Sequence, residues 1–452
     1  MRYKDKTAEV MLTSFICLAL VMCIFIEIQP MVSLVLFLIF LMIVFYIQSD
    51  FFVTYFYIIL YFATNVFGVY LIESSVIYLP EVTEFTRNVN ALPMVTLIHI
   101  IFVETLMITF NPRKLNMAIK APVQKNKNAL WIYECIVGIQ FVILFISFVR
   151  IAKYPALILG IDRFLYKQQY LSGFWGSISV LVTIFVPIDI MFYLQFKRKM
   201  GLYVLAMYFV YLFWIGTKFG LYLIAIYWLV IPFTKKISRK RVKKIILYFG
   251  ILVGILLGLV SLQGKLIYNR SASENSQYLV DRIAQQGQMW WEIYKNDKGV
   301  THPTEIGDET RTFFSSETPS DMNYGIYKLM KQTISEQAFY NKVYLGNTRY
   351  AFSTEASLYY YYGFWGLLLW TIVSASFYGW IINKYIRSFN GYRVITCLCL
   401  TRLFLTMNNV LLQSDFNKLF SYQTVIALFV IACLDFYNRR NKDGLRNRRN
   451  WV

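Results

Sequence analysis

The residues best placed to do chemistry in this chain are charged side chains standing where a hydrophobic sequence tolerates them least. Arg402 sits in Leu400-Thr401-Arg402-Leu403, in the middle of an apolar run. An ionisable group inside a membrane span is costly and marks a functional position by default. Its guanidinium must meet a polar interior, a buried acid or an anionic ligand. Asp189 follows Pro187 in Val186-Pro187-Ile188-Asp189 and reads as a structural partner for a buried base or a helix N–H. His99 and Glu104 share one apolar run, five residues apart and so off a common face. Each reads as an interhelical hydrogen-bonding group. Lys218 stands in a tight helical hairpin, where it either snorkels to headgroups or faces a ligand. Arg349 and Glu355 occur together in Gly346-Asn347-Thr348-Arg349-Tyr350-Ala351-Phe352-Ser353-Thr354-Glu355, as a local ion pair or as site residues. Asp415, in Ser414-Asp415-Phe416 near Lys418, is equally a helix cap or a further acid.

Several chemistries find no support. No Gly-rich loop is followed by Lys and Ser/Thr, and no zinc-type His/Cys spacing occurs. The only histidines are His99 and His302, too few for a His-dependent metal site or triad. All six cysteines lie in hydrophobic runs, so no disulfide framework is expected in the polar segment. Cys397 and Cys399, two apart, point to different helix faces. No metal, nucleotide or other cofactor is expected.

The elements that must position these groups are membrane helices. The chain is 58% hydrophobic and only 15% charged, against about a quarter charged in soluble domains. Runs of roughly 20 apolar residues, each enough to cross a bilayer, recur from end to end. The pattern predicts an all-α polytopic membrane protein with about twelve transmembrane helices, at roughly 10–28, 31–48, 51–72, 93–111, 129–149, 174–195, 201–216, 219–234, 245–263, 358–383, 394–413 and 419–437. The first span has no small-residue cleavage site after it and reads as a retained helix. The pair around Gly216-Thr217-Lys218 reads as two helices, because one of about 33 apolar residues would need extreme tilt. With the N-terminus inside, the densest basic clusters fall on one face: Lys197-Arg198-Lys199, the Lys235 to Lys244 run and the tail from Arg439 to Arg449. Both termini are therefore expected in the cytoplasm. The formal charge of +20 is explained by this sorting and does not call for nucleic acid.

The outer face carries the exceptions. The gap with Glu73, Glu81, Glu84 and Arg87 is acidic, whereas the gap between the fifth and sixth helices holds Arg150, Lys153, Arg163 and Lys167 against Asp162. Outer cations oppose the sorting rule, so they meet either anionic headgroups or a ligand. Domain organisation follows: residues 1–263 carry helices one to nine, 264–356 form one large extracytoplasmic loop, 357–437 carry helices ten to twelve, and 438–452 are a basic tail. In the loop, Tyr278 to Tyr294 reads as one amphipathic helix with Leu279, Ile283, Trp290 and Ile293 near one face. Thr318-Pro319-Ser320-Asp321 reads as the start of another, running through Ile326, Leu329, Met330 and Ile334. His302 lies in the polar turn region between them. Trp290-Trp291 is an interfacial anchor, core packing or a sugar-stacking surface. The loop is nearly charge-balanced, which favours a shaped cap over a bulk electrostatic role.

Three stretches resemble the Wzy-type oligosaccharide repeat-unit polymerases of bacterial surface-polysaccharide assembly. Trp214-Ile215-Gly216-Thr217-Lys218 before Phe219-Gly220-Leu221 is similar to that family's Gly-(Ser/Thr)-Arg hairpin, with Lys for Arg. Ser353-Thr354-Glu355 leading into Gly363-Phe364-Trp365-Gly366 resembles its acid before a Gly-x-x-Gly helix start. Arg402 and Ser414-Asp415 resemble its late charged helix pair. The layout of a dozen spans with one large late loop matches along the whole chain. The resemblance implies a metal- and nucleotide-independent glycosyltransferase in the bacterial plasma (inner) membrane. Its donor would be a glycan on undecaprenyl pyrophosphate and its acceptor a hydroxyl of another lipid-linked unit. Arg163, Lys218, Arg349 and Arg402 would hold the pyrophosphate, Glu355 would accept the hydroxyl proton, and Asp415 and His302 would stand behind it. Lys218 is a departure, since an ammonium lacks the planar fork of Arg; Glu355, eight residues before Gly363, is another. Partners implied are membrane lipid and a chain-length regulator and flippase of the same pathway. Alternatives are a flippase for the same lipid-linked sugars, an O-antigen-ligase-like transferase and, less directly, a sugar acyltransferase. A flippase would show internal repeats and a ligase a His shortly before the tenth helix; neither is present.

Overall fold

A computed structural model describes residues 3–26, 28–110, 127–151, 154–159, 178–217, 219–231, 269–297, 325–345 and 352–449, with isolated positions at 161, 166, 169–171, between 244 and 265, and at 307, 310 and 350. Helices dominate. They are α1 (Tyr3–Phe25), α2 (Pro30–Ile47), α3 (Ser49–Thr54), α4 (Phe56–Ser74), α5 (Leu92–Thr109), α6 (Lys127–Ile151), α7 (Ala156–Leu159), α8 (Ile178–Phe196), α9 (Met200–Trp214) and α10 (Phe219–Val230). The polar segment contributes α11 (Ala272–Ala284), α12 (Gln288–Asp297), α13 (Gly325–Thr333), α14 (Glu336–Phe339) and a π-helical turn, Tyr340–Leu345. Then come α15 (Ser353–Asn390), α16 (Val394–Gln413) and α17 (Tyr422–Arg449). A two-residue antiparallel hairpin, β1 (Tyr78–Leu79) with β2 (Glu84–Phe85), joins α4 to α5.

Among the described residues, seven helices are long and apolar enough to cross a membrane, and four shorter apolar stretches lie at Glu9–Phe25, Val180–Phe196, Met200–Trp214 and Gly220–Val230. Together these fall on eleven of the expected spans. The expected hairpin is there, with α9 ending at Trp214 and α10 starting at Phe219. Large apolar side chains such as Phe15, Met42, Phe145 and Phe429 are exposed, as expected where lipid rather than water is the surrounding solvent.

The interior is built on aromatic rings. Phe404 of α16 lies within ring contact of Tyr57 from α4, Tyr227 and Trp228 from α10 and Tyr378 from α15, with centroids 4.7 to 5.6 Å apart. Offset and edge-on arrangements of this kind add to area burial. Around the hub, α15 packs on α16 and α5, α4 packs on α2 and α5, and α8 packs on α6, α9 and α10.

Two local breaks depart from the expected layout, and both position the site. The expected single helix from Tyr278 to Tyr294 is two helices, parted at Gln285-Gln286-Gly287. Gly287 and Gly68 of α4 explain the break. A Cβ on Gly68 would lie 2.5 Å from the Ile283 carbonyl and 2.8 Å from the Gly287 amide, and one on Gly287 would strike the backbone of Val69. The two backbones touch, which only paired glycines allow.

The second break is inside α15. Its start was expected near residue 358, with Glu355 in the loop before it. Instead the helix begins at Ser353, and Gly363 interrupts it at φ 68° and ψ −170°, a conformation essentially reserved for glycine. The first stretch, residues 353–362, is therefore a separate half-helix. Its beginning touches span residues: Phe352 lies against Tyr61, and the Thr354 hydroxyl donates to the Val410 carbonyl (2.6 Å). Its end touches the polar segment: Tyr359 stacks on Tyr294, and the Tyr361 hydroxyl donates to the Gly325 carbonyl (3.0 Å).

Candidate functional site

The half-helix sets Glu355 among α4, α5 and α16 rather than in a solvated loop. Glu355 is 4% exposed. Its Oε2 lies 3.5 Å from Nδ1 of His99, which is fully buried in α5 and stacked on Phe62 with ring centroids 4.1 Å apart. Neither of those two atoms has a hydrogen-bond partner among the described residues. The other imidazole nitrogen, Nε2, is 2.9 Å from Oδ1 of Asn65. Asn65 in turn donates from Nδ2 to the Gln286 carbonyl at 2.5 Å.

This chain of contacts fixes the imidazole tautomer. The Gln286 carbonyl can only accept, so the Asn65 atom facing it is the NH2 group and the atom facing His99 is the amide oxygen. That oxygen needs a donor, so His99 carries its proton on Nε2 and turns the Nδ1 lone pair toward Glu355. A carboxylate and a lone pair facing each other have room for one shared proton. When a proton arrives between them, an unfavourable contact becomes a hydrogen bond. The pair can thus hold one proton between Oε2 and Nδ1. Asn65 and Gly68 are three residues apart and share one face of α4, so the glycine crossing that seats Gln286 also seats the relay.

The cap is tied down by acids from the α4–α5 connection. Glu81 accepts from the Tyr350 hydroxyl and, through Oε1, from Gln285 (3.2 Å), while its backbone carbonyl accepts from the Ser335 amide (2.9 Å). Glu84 pairs with Lys295. The Trp291 indole donates to the Arg87 carbonyl at 2.7 Å. Trp290 and Trp291 are both fully buried, so they are core packing rather than a stacking surface. Within the cap, Glu292 of α12 is buried with both oxygens lacking a hydrogen bond among the described residues. Burial pushes its carboxyl up to about 8. Tyr350 is raised as well, first by burial and then by the Glu81 charge beside it.

The sequence-level candidates separate clearly. The turn carrying Asp415 meets the half-helix, since the Ser414 amide donates to Thr354 Oγ1 (2.8 Å) next door to Glu355. Asp415 itself is paired with Lys418. Arg402 donates to Gln423 of α17, and its Nε has no partner among the described residues. It meets a neutral amide, not the buried acid that was one expectation. Arg163, Lys218, Arg349 and His302 lie outside the described residues, as does the expected helix start at Thr318 to Asp321. Asp189 meets the Gln140 side-chain amide, which donates to its Oδ2 at 3.0 Å, rather than the buried base or helix N–H expected; its Oδ1 is buried with no hydrogen-bond partner among the described residues. His99 does make the interhelical bond expected of it, but it also faces Glu355, which the sequence reading did not foresee. Asn65, a lone amide in an apolar run, was missed; its signal was Gly68 one turn away.

Residues 319–428 match a family of unknown function, DUF6418. The match spans roughly a quarter of the chain and takes in Glu355, the Gly363 break, Arg402 and Asp415. No curated protein and no solved structure matches the chain.

Proposed function

We propose that this protein is a membrane glycosyltransferase that joins lipid-linked oligosaccharide units at the loop-bearing face of the bundle, extending a glycan held on undecaprenyl pyrophosphate. One observation carries the reading: the buried Glu355 carboxyl, 3.5 Å from His99 Nδ1, at the start of a broken helix that touches the folded cap. A proton-coupled flippase could use a buried Glu–His pair as well, so the choice of transfer over flipping rests on the polymerase resemblance and on the folded cap beside the pair. In glycosyl transfer from a pyrophosphate, the acceptor hydroxyl oxygen bonds to the anomeric carbon as the bond from that carbon to pyrophosphate oxygen breaks. The hydroxyl proton passes to Glu355 and is held between Oε2 and His99 Nδ1. Undecaprenyl pyrophosphate leaves with the bonding electron pair. General-base help of this sort is worth about 10²–10⁴-fold, and positioning two lipid-linked reactants supplies more. The cations named from the sequence, Arg163, Lys218, Arg349 and Arg402, are proposed to stabilise the departing diphosphate.

The test is extension of purified lipid-linked repeat units by the purified protein. Wild type should produce a ladder of longer glycans, and Glu355→Gln should leave single units. A ladder from Glu355→Gln equal to wild type would remove Glu355 from the chemistry.

A further inference from the structure

A cleft of about 580 Å³ opens in the cap, lined by Lys331 of α13, Glu336, Gln337 and Phe339 of α14, and Tyr340 and Tyr344 of the π-helical turn. That volume lies within the ~300–1,000 Å³ typical of small-molecule sites. Tyr340 and Tyr344 are each 51% exposed, yet their rings stack on one another with centroids 5.4 Å apart and planes 29° apart. Phe339 is buried, with its ring edge-on to Tyr344 at 6.1 Å. Lys331 Nζ stands 5.7 Å from the Phe339 ring centroid. The backbone that holds the two tyrosines is a π-helix, a rare turn frequently found at functional sites.

The chemistry of the lining narrows the occupant. Glu336 accepts hydrogen bonds, Lys331 donates them, and Gln337 and the two phenols do both. Among the described lining residues one cation and one anion balance, so they form no cationic cluster of the kind that selects a phosphate, a nucleic acid or an anionic headgroup. Paired phenol rings offer broad, rigid contact area at small entropic cost. A sugar ring is the matching partner: its C–H face lies on an aromatic face while its hydroxyls, donors and acceptors at once, meet a mixed polar rim. We infer that this cleft is a saccharide-binding subsite that holds a neutral stretch of the glycan being extended. The identity of the occupant rests on the transferase reading above, whereas the site itself stands on its own geometry.

The test is equilibrium binding, which does not need turnover. The probe is the soluble oligosaccharide released by mild acid from the lipid-linked fraction of cells producing this protein, offered to the full-length chain in nanodiscs. Saturation transfer from the tyrosine ring protons of the unaltered protein should reach the sugar C–H protons. Tyr340→Ala with Tyr344→Ala should weaken binding about tenfold, as expected for loss of two stacking contacts; Tyr340→Phe with Tyr344→Phe should restore most of it. Unchanged binding in the double Ala variant would overturn the subsite. So would absence of ring-to-sugar transfer in wild type. If the rings instead anchor the cap to lipid, a bilayer-borne nitroxide will quench them in wild type and saccharide will not protect them, which also overturns it. Binding that stays intact in Glu355→Gln but falls in the tyrosine variant separates the two readings. The subsite then survives even if Glu355 proves irrelevant to transfer.

Discussion

Glu73 and Glu355 are two buried carboxylates in one block of packed helices, and the protein treats them in opposite ways. Glu73, near the end of α4, accepts from the backbone amides of Ala91 at 2.6 Å and Leu92 at 3.3 Å, closing the start of α5. Those amides would otherwise be orphaned at a helix N-terminus, so Glu73 satisfies and is satisfied. Glu355 sits at the start of a half-helix too, but it caps nothing; its Oε2 faces the imidazole lone pair. A buried polar atom left without a partner costs about 1–3 kcal/mol. A fold tolerates that cost where the atom is needed for something other than holding the fold together. The contrast places Glu73 in the architecture and, on the proposed function, leaves Glu355 available for chemistry.

The sharpest way to break the comparison is to make the same change at both positions. Glu355→Gln should lower glycan extension by about 10²–10⁴-fold, with yield and thermal stability at or above wild type. Removing a buried and uncompensated acid relieves the fold rather than harming it. Extension assays on equal amounts of folded protein, alongside melting curves, decide the matter. A Glu355→Gln protein that unfolds easily but works per folded molecule would reverse the assignment.

Next in size is the relay that aims His99. Asn65→Ala removes the acceptor that keeps the proton on Nε2 and also releases the Gln286 carbonyl. Extension should fall by about tenfold, in the range that loss of a supporting hydrogen bond typically costs. The maximal rate should fall while the apparent substrate affinity holds. Protease cleavage near Gln285 to Gly287 should also quicken, because the cap loses its tether to α4. A change in affinity alone would place Asn65 in substrate binding instead.

How much of this could be read from the sequence follows from the range of the interactions. Spans depend on local hydropathy, so the runs and the hairpin at Gly216 to Lys218 were legible. So was an acid ahead of Gly363, because glycine spacing is a local signal. The helix break at Gly287 was not, since apolar residues at Leu279, Ile283, Trp290 and Ile293 keep a helical period straight through it. Only the approach of Gly68, more than two hundred residues away, requires the turn. The contact between His99 and Glu355 is equally non-local; on its own helix His99 looked like a packing group. Trp290 and Trp291 were open to three readings because burial cannot be read from residue type, and the fold resolves them to core. The four groups Arg163, Lys218, Arg349 and His302 stand as proposals from the resemblance.

Glu73→Gln should cost about 1–2 kcal/mol of stability. Gln can accept from one of the two amides, but its NH2 group then faces the other as donor against donor. Extension per folded molecule should be unaffected. Hydrogen exchange at Ala91 and Leu92 should quicken, and this local readout distinguishes a lost cap from general loosening. Equal exchange in both proteins would mean that Glu73 does not cap α5, and the opening contrast would lose its structural arm.

The smallest effect is expected from a third acid, Glu292, which resembles Glu355 in having a carboxyl oxygen without a hydrogen-bond partner among the described residues but lies in the cap rather than among the spans. Its carboxyl is raised by burial from an ordinary 4.5 to about 8, so the folded cap keeps a proton that the unfolded segment releases. Stability must then be fully present below pH 4.5 and decline as pH rises, until the proton is lost near pH 8. Other titratable groups nearby, Tyr350 with Glu81, act on the same surface, but the Tyr350 phenol is raised by burial and so stays neutral across this window. Hydrogen exchange over α12 should therefore speed up between pH 4.5 and about pH 8 beyond the intrinsic chemical increase, and Glu292→Gln should remove that excess. An excess that persists in the Gln variant would mean another group drives it. Glu292 would then be an inert buried acid, and lack of a partner would no longer be enough to mark Glu355 as chemical.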